Sequence, residues 1–203
     1  MKLAFCTEDL TDEVILLRLA ERIIDRRIEA HSRRYRFERG GWTTALKLAP
    51  IIAKDVFRSD ADGAIFAIDN DEGEPLHSRQ HDVKPSKDCR HCELVAKADT
   101  KTVKSWHRPG LPPLKFFFVV PVRILETWLL LSREDQFPGD PLHYGRRAQE
   151  RRHLKHLLWR TERPDQELMM TRGRELVEEA DLARLAQRSP SFALFREDLL
   201  SGL

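Results

Sequence analysis

Three acidic side chains, in two segments far apart in the chain, could together hold a divalent cation. Asp69 and Asp71 come just after the apolar run at 64–68, and Glu8 follows the apolar run at 2–6. Alternate residues of an extended chain point the same way, so Asp69 and Asp71 could reach a single ion. Mg²⁺ prefers oxygen ligands and needs only one or two carboxylates beside water or a substrate phosphate.

The segment that contains Asp69 and Asp71 also has an ordinary structural interpretation. Asn70 and Gly73 are good turn formers, so the acids could simply decorate a solvated turn. Short motifs of this kind match often by chance. The segment alone therefore leaves both interpretations open.

The elements that would position these acids alternate along the chain. Apolar runs predict strands, and apolar residues at helical spacing predict helices. The predicted strands are 2–6, 64–68 and 114–122, and the predicted helices are 14–30, 42–57 and 123–134. This alternation favours an α/β fold with a mainly parallel, Rossmann-like sheet flanked by helices. Sites in such sheets lie at the carboxyl ends of the strands, so Glu8, Asp69 and Asp71 could meet at one edge.

The character of the chain changes near residue 135. Residues 1–134 form the predicted α/β domain, and the helical patterns of 135–203 predict a C-terminal helical extension. Residues 72–113 are an irregular insert rich in Gly, Pro and His, with one short helix predicted around 92–99.

The irregular insert contains a second set of metal-ligand residue types. Its members have the pattern His-x3-His-x7-Cys-x2-Cys and are His77, His81, Cys89 and Cys92, with His91 and His107 nearby. Two thiolates and two imidazoles make a tetrahedral zinc shell, and Cys-x2-Cys closes readily around one ion. The alternative is a substrate-binding loop whose histidines and basic residues face phosphate.

A basic helix is predicted in the C-terminal extension. Arg147, Arg151 and Lys155 recur at four-residue steps and could follow a nucleic-acid backbone without sequence preference. The alternative is an ordinary solvated helix face.

The composition of the chain limits the classes of protein to which it could belong. The formal net charge is only +2, so nucleic-acid binding would require a local basic patch. The chain begins with acids too early for an export signal, and its longest apolar run, 116–122, is too short to cross a bilayer. Three cysteines in such a chain favour reduced thiols or metal ligands. We expect a cytoplasmic protein without a membrane anchor.

The segments FCTEDLTDEVILLRLAERI and IFAIDNDEG together resemble the TOPRIM superfamily, the metal-dependent fold of topoisomerases, primases and overcoming-lysogenization-defect-type nucleases. The family pattern has a glutamate after the first strand, often as Glu-Gly-x-x-Asp, and Asp-x-Asp after a later strand. By this resemblance Glu8 corresponds to the glutamate, Asp12 to the following aspartate, and Asp69 and Asp71 to the pair.

This chain departs from the TOPRIM pattern at one position. The usual glycine is Asp9 here, which adds charge at the turn and could itself be a ligand. Asp9-x-x-Asp12 also has the form of a capping box at a helix start, which is the structural alternative for both acids.

A narrower resemblance links VPVRILETWLLLSRE and SPSFALF to small bacterial TOPRIM-like proteins that are often paired with ATPases in phage-defence loci. It implies an ATPase partner and singles out Glu126 as a further candidate metal ligand and Trp128, which we expect in the core. A surface ion pair with Arg123 is the alternative for Glu126.

The TOPRIM resemblance implies a nuclease that uses Mg²⁺ or Mn²⁺ to hydrolyse phosphodiester bonds in DNA or RNA, in phage defence or DNA repair. A bound metal would lower the pKa of a water molecule, and Glu8 could orient or deprotonate that nucleophile. The two tyrosines, Tyr35 and Tyr144, lie far from the motifs in sequence, which disfavours a topoisomerase. Alternatives are a non-catalytic adaptor for a partner protein or nucleic acid, and a phosphohydrolase acting on small nucleotides. Whatever its function, the protein could form a homo-oligomer.

Overall fold

The computed structural model describes most of the chain. The described residues are 1–37, 41–70, 76–98, 106, 108–110, 112–121, 125–133, 148–161 and 163–202. Its strands are β1 (Lys2–Thr7), β2 (Glu29–Ala30), β3 (Tyr35–Arg36), β4 (Gly63–Ala67) and β5 (Lys115–Val119). Its helices are α1 (Leu10–Ile24), α2 (Gly41–Phe57), α3 (Arg79–Val83), α4 (Arg90–Ala98), α5 (Glu126–Leu131), α6 (Ala148–Trp159), α7 (Gln166–Glu179), α8 (Leu182–Arg188) and α9 (Pro190–Ser201).

The five strands form one parallel sheet, which confirms the predicted α/β fold. The strand order is β2-β1-β4-β5, and β3 also pairs with β1. In register, Phe5 of β1 lies beside Ile65 of β4, and Ile65 lies beside Phe117 of β5. Because β1 and β4 are adjacent and parallel, the segments that follow them leave the sheet at the same edge.

Both faces of the sheet are covered, which explains why its central strands are continuously apolar. On one face Phe5, Ile65 and Phe117 share a core with side chains of α1 and α5–α9. On the other face the core combines Ala4 and Phe66 with side chains of α2 and α4. The helices after residue 148 thus pack on the sheet itself: Leu154, Leu176 and Phe192 all belong to the first core.

The start of β4 requires a glycine. A Cβ atom at Gly63 would collide with the backbone carbonyl oxygen of Lys115 on β5. The absence of a side chain lets β4 and β5 pair closely from their first residues. That pairing sets the register of the segment that carries Asp69.

The two segments of the narrower resemblance pack against each other. Trp128 of α5 is fully buried and donates a hydrogen bond from Nε1 to Ser191 Oγ at 2.9 Å. Its ring contacts Phe192 edge to face at a centroid distance of 5.2 Å and stacks with Phe195 at 5.9 Å. This contact holds α9 against α5, the helix that begins with Glu126.

Candidate functional site

Glu8 and Asp69 lie at the same edge of the sheet, past the carboxyl ends of neighbouring strands. Glu8 directly follows β1, and Asp69 comes two residues after β4. The chain after β4 stays hydrogen-bonded, since Ile68 N donates to Val119 O at 3.0 Å and Asn70 N donates to Pro121 O at 3.2 Å. This backbone pairing fixes the direction of Asp69. Asp71, the other member of the predicted pair, lies outside the described residues.

Asp69 is also tied to the start of α5. Its Oδ1 accepts a hydrogen bond from Leu125 N at 3.1 Å. Leu125 immediately precedes Glu126, the first residue of α5. The hydrogen bond therefore brings a third segment of the chain, with its own carboxylate, to the edge that carries Glu8 and Asp69.

Asp9 and Asp12 form the capping box that begins α1. Asp12 N donates to Asp9 Oδ1 at 3.1 Å, and Asp9 N donates to Asp12 Oδ2 at 3.3 Å. Asp12 also lines a small cavity together with Asp69, Pro121 and Leu125. Capping thus explains the position of both acids, and Asp12 still faces the edge of the sheet where Asp69 lies.

The neighbouring acids are close enough to affect the ionisation of Asp12. Burial raises the pKa of the Asp12 carboxyl well above its ordinary value, and the charges of Asp9, Glu126 and Glu8 raise it further. Repulsion among carboxylates of this kind is relieved by a bound cation or by a basic side chain.

Lys155 of α6 is one basic side chain at this edge. Its Nζ lies 3.3 Å from Glu126 Oε1, and the Glu126 side chain is only 12% exposed. The charges of Glu126, Asp69 and Asp12 raise the pKa of Lys155, although partial burial opposes this. Lys155 was also predicted on a nucleic-acid-binding stripe, and in the structure its side chain lies beside Glu126. Arg147 and the side chain of Arg151 lie outside the described residues.

Asp12→Asn is expected to raise the melting temperature in EDTA. The amide removes a partly buried charge that its neighbours repel, while its oxygen can still accept the hydrogen bond from Asp9 N. We expect an increase of about 2–4 °C, which corresponds to roughly 1 kcal/mol in a chain of this size. The measurement is thermal unfolding followed by circular dichroism.

The matched control is Asp165→Asn. Asp165 caps α7 by accepting a hydrogen bond from Leu168 N, away from the acidic edge, and Asn caps a helix as well as Asp does. Its melting temperature should stay near that of the wild type. A lower melting temperature for Asp12→Asn would contradict the inferred repulsion.

Within the described part of the chain, one group brings at least three His, Cys, Asp or Glu ligand atoms close enough to share an ion. That group consists of His77, His81, Cys89 and Cys92, and its ligand atoms all lie within 4.8 Å of one another. These are the residues that the sequence pattern predicts. We call them the His/Cys cluster.

The distances within the His/Cys cluster suit a tetrahedral ion. His77 Nδ1 lies 3.7 Å from Cys89 Sγ and 3.6 Å from Cys92 Sγ. Ligand bonds of about 2.3 Å to sulfur and 2.0–2.1 Å to nitrogen place S and N roughly 3.6 Å apart around one zinc ion. His77 lies just before α3 and His81 lies within it. Cys89 lies just before α4 and Cys92 lies within it, so two short helices bring the four ligands together.

The hydrogen bonds around the cluster also fit a metal. His77 Nε2 lies 3.1 Å from Asp82 Oδ1, which leaves Nδ1 facing the two thiols. Among the described residues His81 Nδ1 is buried with no hydrogen-bond partner. Carboxylates that hold the far nitrogen of a histidine are typical of metal-ligating imidazoles.

The pKa shifts of residues in the His/Cys cluster also fit metal binding. Burial lowers the pKa of His77, so its imidazole is neutral at pH 7 and can donate a lone pair. Cys89 and Cys92 are buried and are not joined in a disulfide, and burial raises the pKa of Cys89 to about 11. A thiol of that kind ionises at neutral pH only when a cation compensates its charge. The His/Cys cluster could therefore bind a metal ion such as zinc.

His91 accompanies the cluster as a neutral neighbour. Its ring stacks on that of His77 at a centroid distance of 3.7 Å, and burial together with His77 lowers its pKa to about 3. His107, the other additional candidate, lies outside the described residues.

Two arginines that lie between cluster residues in the sequence connect the His/Cys cluster to distant parts of the protein. Arg90 follows Cys89, and its Nη1 donates to Asn70 O at 2.7 Å and to Asp69 O at 3.5 Å. Arg79, between His77 and His81, pairs with Glu197 and Asp198 of α9 at 2.7 and 2.9 Å. The sequence predicted neither contact, because nothing local indicates which distant carbonyl or carboxylate an arginine will meet.

Neither a family model, nor a curated protein, nor a solved structure matches this chain. No helix in the described ranges is long and apolar enough to cross a membrane. The fold and the site define an α/β protein with a parallel sheet, carboxylates past the ends of adjacent strands, and a His/Cys cluster that could bind a metal.

Proposed function

We propose that this chain is a divalent-metal-dependent nuclease of TOPRIM type that hydrolyses phosphodiester bonds. The observation that supports this most is the convergence of Glu8 and Asp69 past the ends of adjacent parallel strands, with Asp12 and Glu126 beside them. Asp71 belongs to the proposed ligand set on the basis of the TOPRIM pattern.

In the proposed site, Asp69, Asp71 and Glu8 hold Mg²⁺ or Mn²⁺, and Asp12, Asp9 and Glu126 supply further negative charge around it. A bound divalent ion polarises a phosphoryl oxygen and makes a bound water more acidic. Glu8 accepts the proton of the attacking water, whose oxygen forms a new bond to phosphorus. The ester oxygen leaves with the electron pair of the broken P–O bond and takes a proton from solvent.

Lys155 would act as a charge partner of the scissile phosphate. It lies beside Glu126 and interacts with Asp69 and Asp12, so it faces the place where the phosphate would approach. A positioned cation at such a site stabilises the charge that develops during phosphoryl transfer.

The direct test is cleavage of supercoiled plasmid, linear DNA and RNA with Mg²⁺ or Mn²⁺. We expect nicking or degradation that stops when EDTA is added and returns when the ion is restored in excess. Cleavage that is unchanged by EDTA would overturn the proposal, and so would the absence of cleavage of all three substrates with both ions.

A non-catalytic adaptor is the second candidate function. The capping box and the Lys155–Glu126 pair favour it, because each satisfies acids of this edge without a metal. Isothermal calorimetry separates the two functions: an adaptor would bind nucleic acid or a partner protein but would show no Mg²⁺ or Mn²⁺ uptake at the acids.

We also propose that zinc occupies the His/Cys cluster in a structural role. All four ligands are protein side chains, as in structural zinc sites, and the surrounding loop would gain order from the ion. Reduced buried thiols suit a reducing compartment, which supports a cytoplasmic location.

An ATPase partner and a role in phage defence or DNA repair remain proposals that rest on the narrower resemblance. The packing of Trp128 against Ser191 and Phe192 supports treating its two segments as one structural unit. Stimulation of nuclease activity by a purified ATPase and ATP, and its loss with a non-hydrolysable analogue, would test the partnership.

A further inference from the structure

A basic groove lies between α2, which covers one face of the sheet, and the chain around β3. It encloses about 410 Å³, within the usual range of ligand sites. Five of its lining side chains are cationic, namely Arg33, Arg34, Arg36, Lys54 and Arg58, and Asp55 is the single lining acid. Leu48, Ile51 and Ile52 give it an apolar floor.

Some of the groove's positive charge is compensated inside the protein. Asp55 accepts a hydrogen bond from Arg33 Nη1 at 2.9 Å and one from the Tyr35 hydroxyl. Glu13, which is buried behind the groove, pairs with Arg36 and lies 3.5 Å from Arg34 Nε. Two acids therefore face five cations.

The remaining positive charge is at the rim. Lys54 and Arg58 are exposed and one helical turn apart, at the end of α2 and just beyond it. Among the described residues no acidic side chain forms an ion pair with either of them. The Arg34 side chain, although its Nε pairs with Glu13 Oε1 at 3.5 Å, is 58% exposed.

The floor of the groove is unusual for a surface that carries so much charge. Ile51 is 62% exposed, although most large apolar side chains of the described chain are buried. Arg33 lies over the ring of Tyr35, with Cζ 5.5 Å from its centroid. A cationic rim beside exposed apolar surface suits single-stranded nucleic acid, because phosphates can meet the cations while unpaired bases cover the apolar floor.

The groove adjoins the acidic edge through β3. Arg36 pairs in register with Thr7, and its Nη1 donates to Thr7 Oγ1 at 3.0 Å. Thr7 is followed directly by Glu8. A strand whose phosphate reached Glu8 and Asp69 could thus continue along β3 into the groove.

We propose that this groove binds the unpaired strand of a polynucleotide, with Lys54, Arg58 and Arg34 on its phosphates and bases against Ile51 and Leu48. The identification of the ligand as substrate rests on the proposed nuclease function. A duplex would hide its bases and leave the apolar floor uncovered, so a single strand fits the groove better.

The test measures how tightly the full chain binds a short, fluorescein-labelled, single-stranded oligonucleotide. Binding is followed by fluorescence anisotropy in EDTA, so that no cleavage occurs. The double variant Lys54→Gln/Arg58→Gln should weaken binding. Each lost phosphate contact should lower the slope of log K against log salt by about 0.7, hence about 1.4 for both.

The matched control is Arg163→Gln/Arg174→Gln. Arg174 is exposed on α7, a helix that packs against α1 on the other face of the sheet, and Arg163 is exposed just before it. This pair removes the same charge, so its salt slope should match the wild type. Circular dichroism checks that both double variants are folded, which we expect of exposed substitutions.

Four results would overturn the inference. The first is an unchanged slope for Lys54→Gln/Arg58→Gln, the second an equal loss in the control, and the third a duplex that binds as tightly and with the same dependence on Lys54 and Arg58. Complete displacement by a mononucleotide at low concentration would instead identify a nucleotide pocket and also contradict strand binding. Because binding is measured in EDTA, where no metal-supported cleavage occurs, failure of the groove and failure of the nuclease function can be told apart.

Discussion

Glu8→Gln is expected to lower metal-supported cleavage by roughly 10²- to 10⁴-fold, the usual effect of removing a general acid or base. Asp69→Asn is expected to lower it at least as much, because the amide also weakens metal binding. Both substitutions keep the size of the side chain. In Asp69→Asn the amide oxygen could still accept the hydrogen bond from Leu125 N, so the link to α5 should persist.

Matched controls lie at the opposite edge of the same sheet. Glu29 and Asp60 are 68% and 70% exposed and pair with Lys2 at the start of β1. Glu29→Gln and Asp60→Asn repeat the chemical changes away from the carboxyl edge and should retain wild-type rates. The measurement is the initial rate of cleavage against Mn²⁺ concentration, with Mn²⁺ affinity taken from calorimetry. Wild-type rates in Glu8→Gln and Asp69→Asn would rule out the proposed chemistry, as would an equal loss in the controls.

The second large effect is expected from loss of the metal of the His/Cys cluster. Cys92→Ala should reduce bound zinc from one ion per chain to a trace and should lower the melting temperature. An ion present at about 1,000 times its Kd stabilises the folded state by about 4 kcal/mol. In a chain of this size that corresponds to a shift on the order of 10 °C.

Cys6→Ala is the matched control, since Cys6 is a fully buried thiol in β1, outside the cluster. It should lose some stability through the small cavity it leaves but should keep its zinc. A strong chelator should therefore lower the melting temperature of the wild type and of Cys6→Ala but not that of Cys92→Ala. Metal-free wild-type protein with a melting temperature that the chelator does not change would contradict a zinc site.

The two sites are linked through Arg90. This residue follows the cluster ligand Cys89 and donates to the carbonyl oxygen of Asn70, one residue beyond Asp69. Its guanidinium also lies 5.3 Å from the ring of Trp42, which limits its freedom. An ion bound at the His/Cys cluster would therefore also restrain the segment that carries Asp69 and Asn70.

The central strands and helices were predictable because hydrophobic pattern is a local property. The predicted strands at 2–6, 64–68 and 114–122 correspond to β1, β4 and β5, and the short helix predicted at 92–99 corresponds to α4. The predicted helix at 14–30 was too long at its end, since α1 stops at Ile24 and the chain turns at Asp25 with a positive φ of 51°. β2 and β3 have only two residues each, too few for any periodicity, so they were not predicted.

The sequence by itself determined which residues could do chemistry: the acids after two buried strands and the spacing of His77, His81, Cys89 and Cys92. Residue type and spacing along one segment are sufficient for that. The directions of side chains repeat every two residues along a strand and about every four along a helix, so a local pattern shows which residues share a face. Only the tertiary structure decided that Lys155 meets Glu126, that Arg90 reaches Asn70, and that Arg34 and Arg58 line one groove. These contacts join residues from different segments, and their distances depend on how the helices pack on the sheet, which no local pattern encodes.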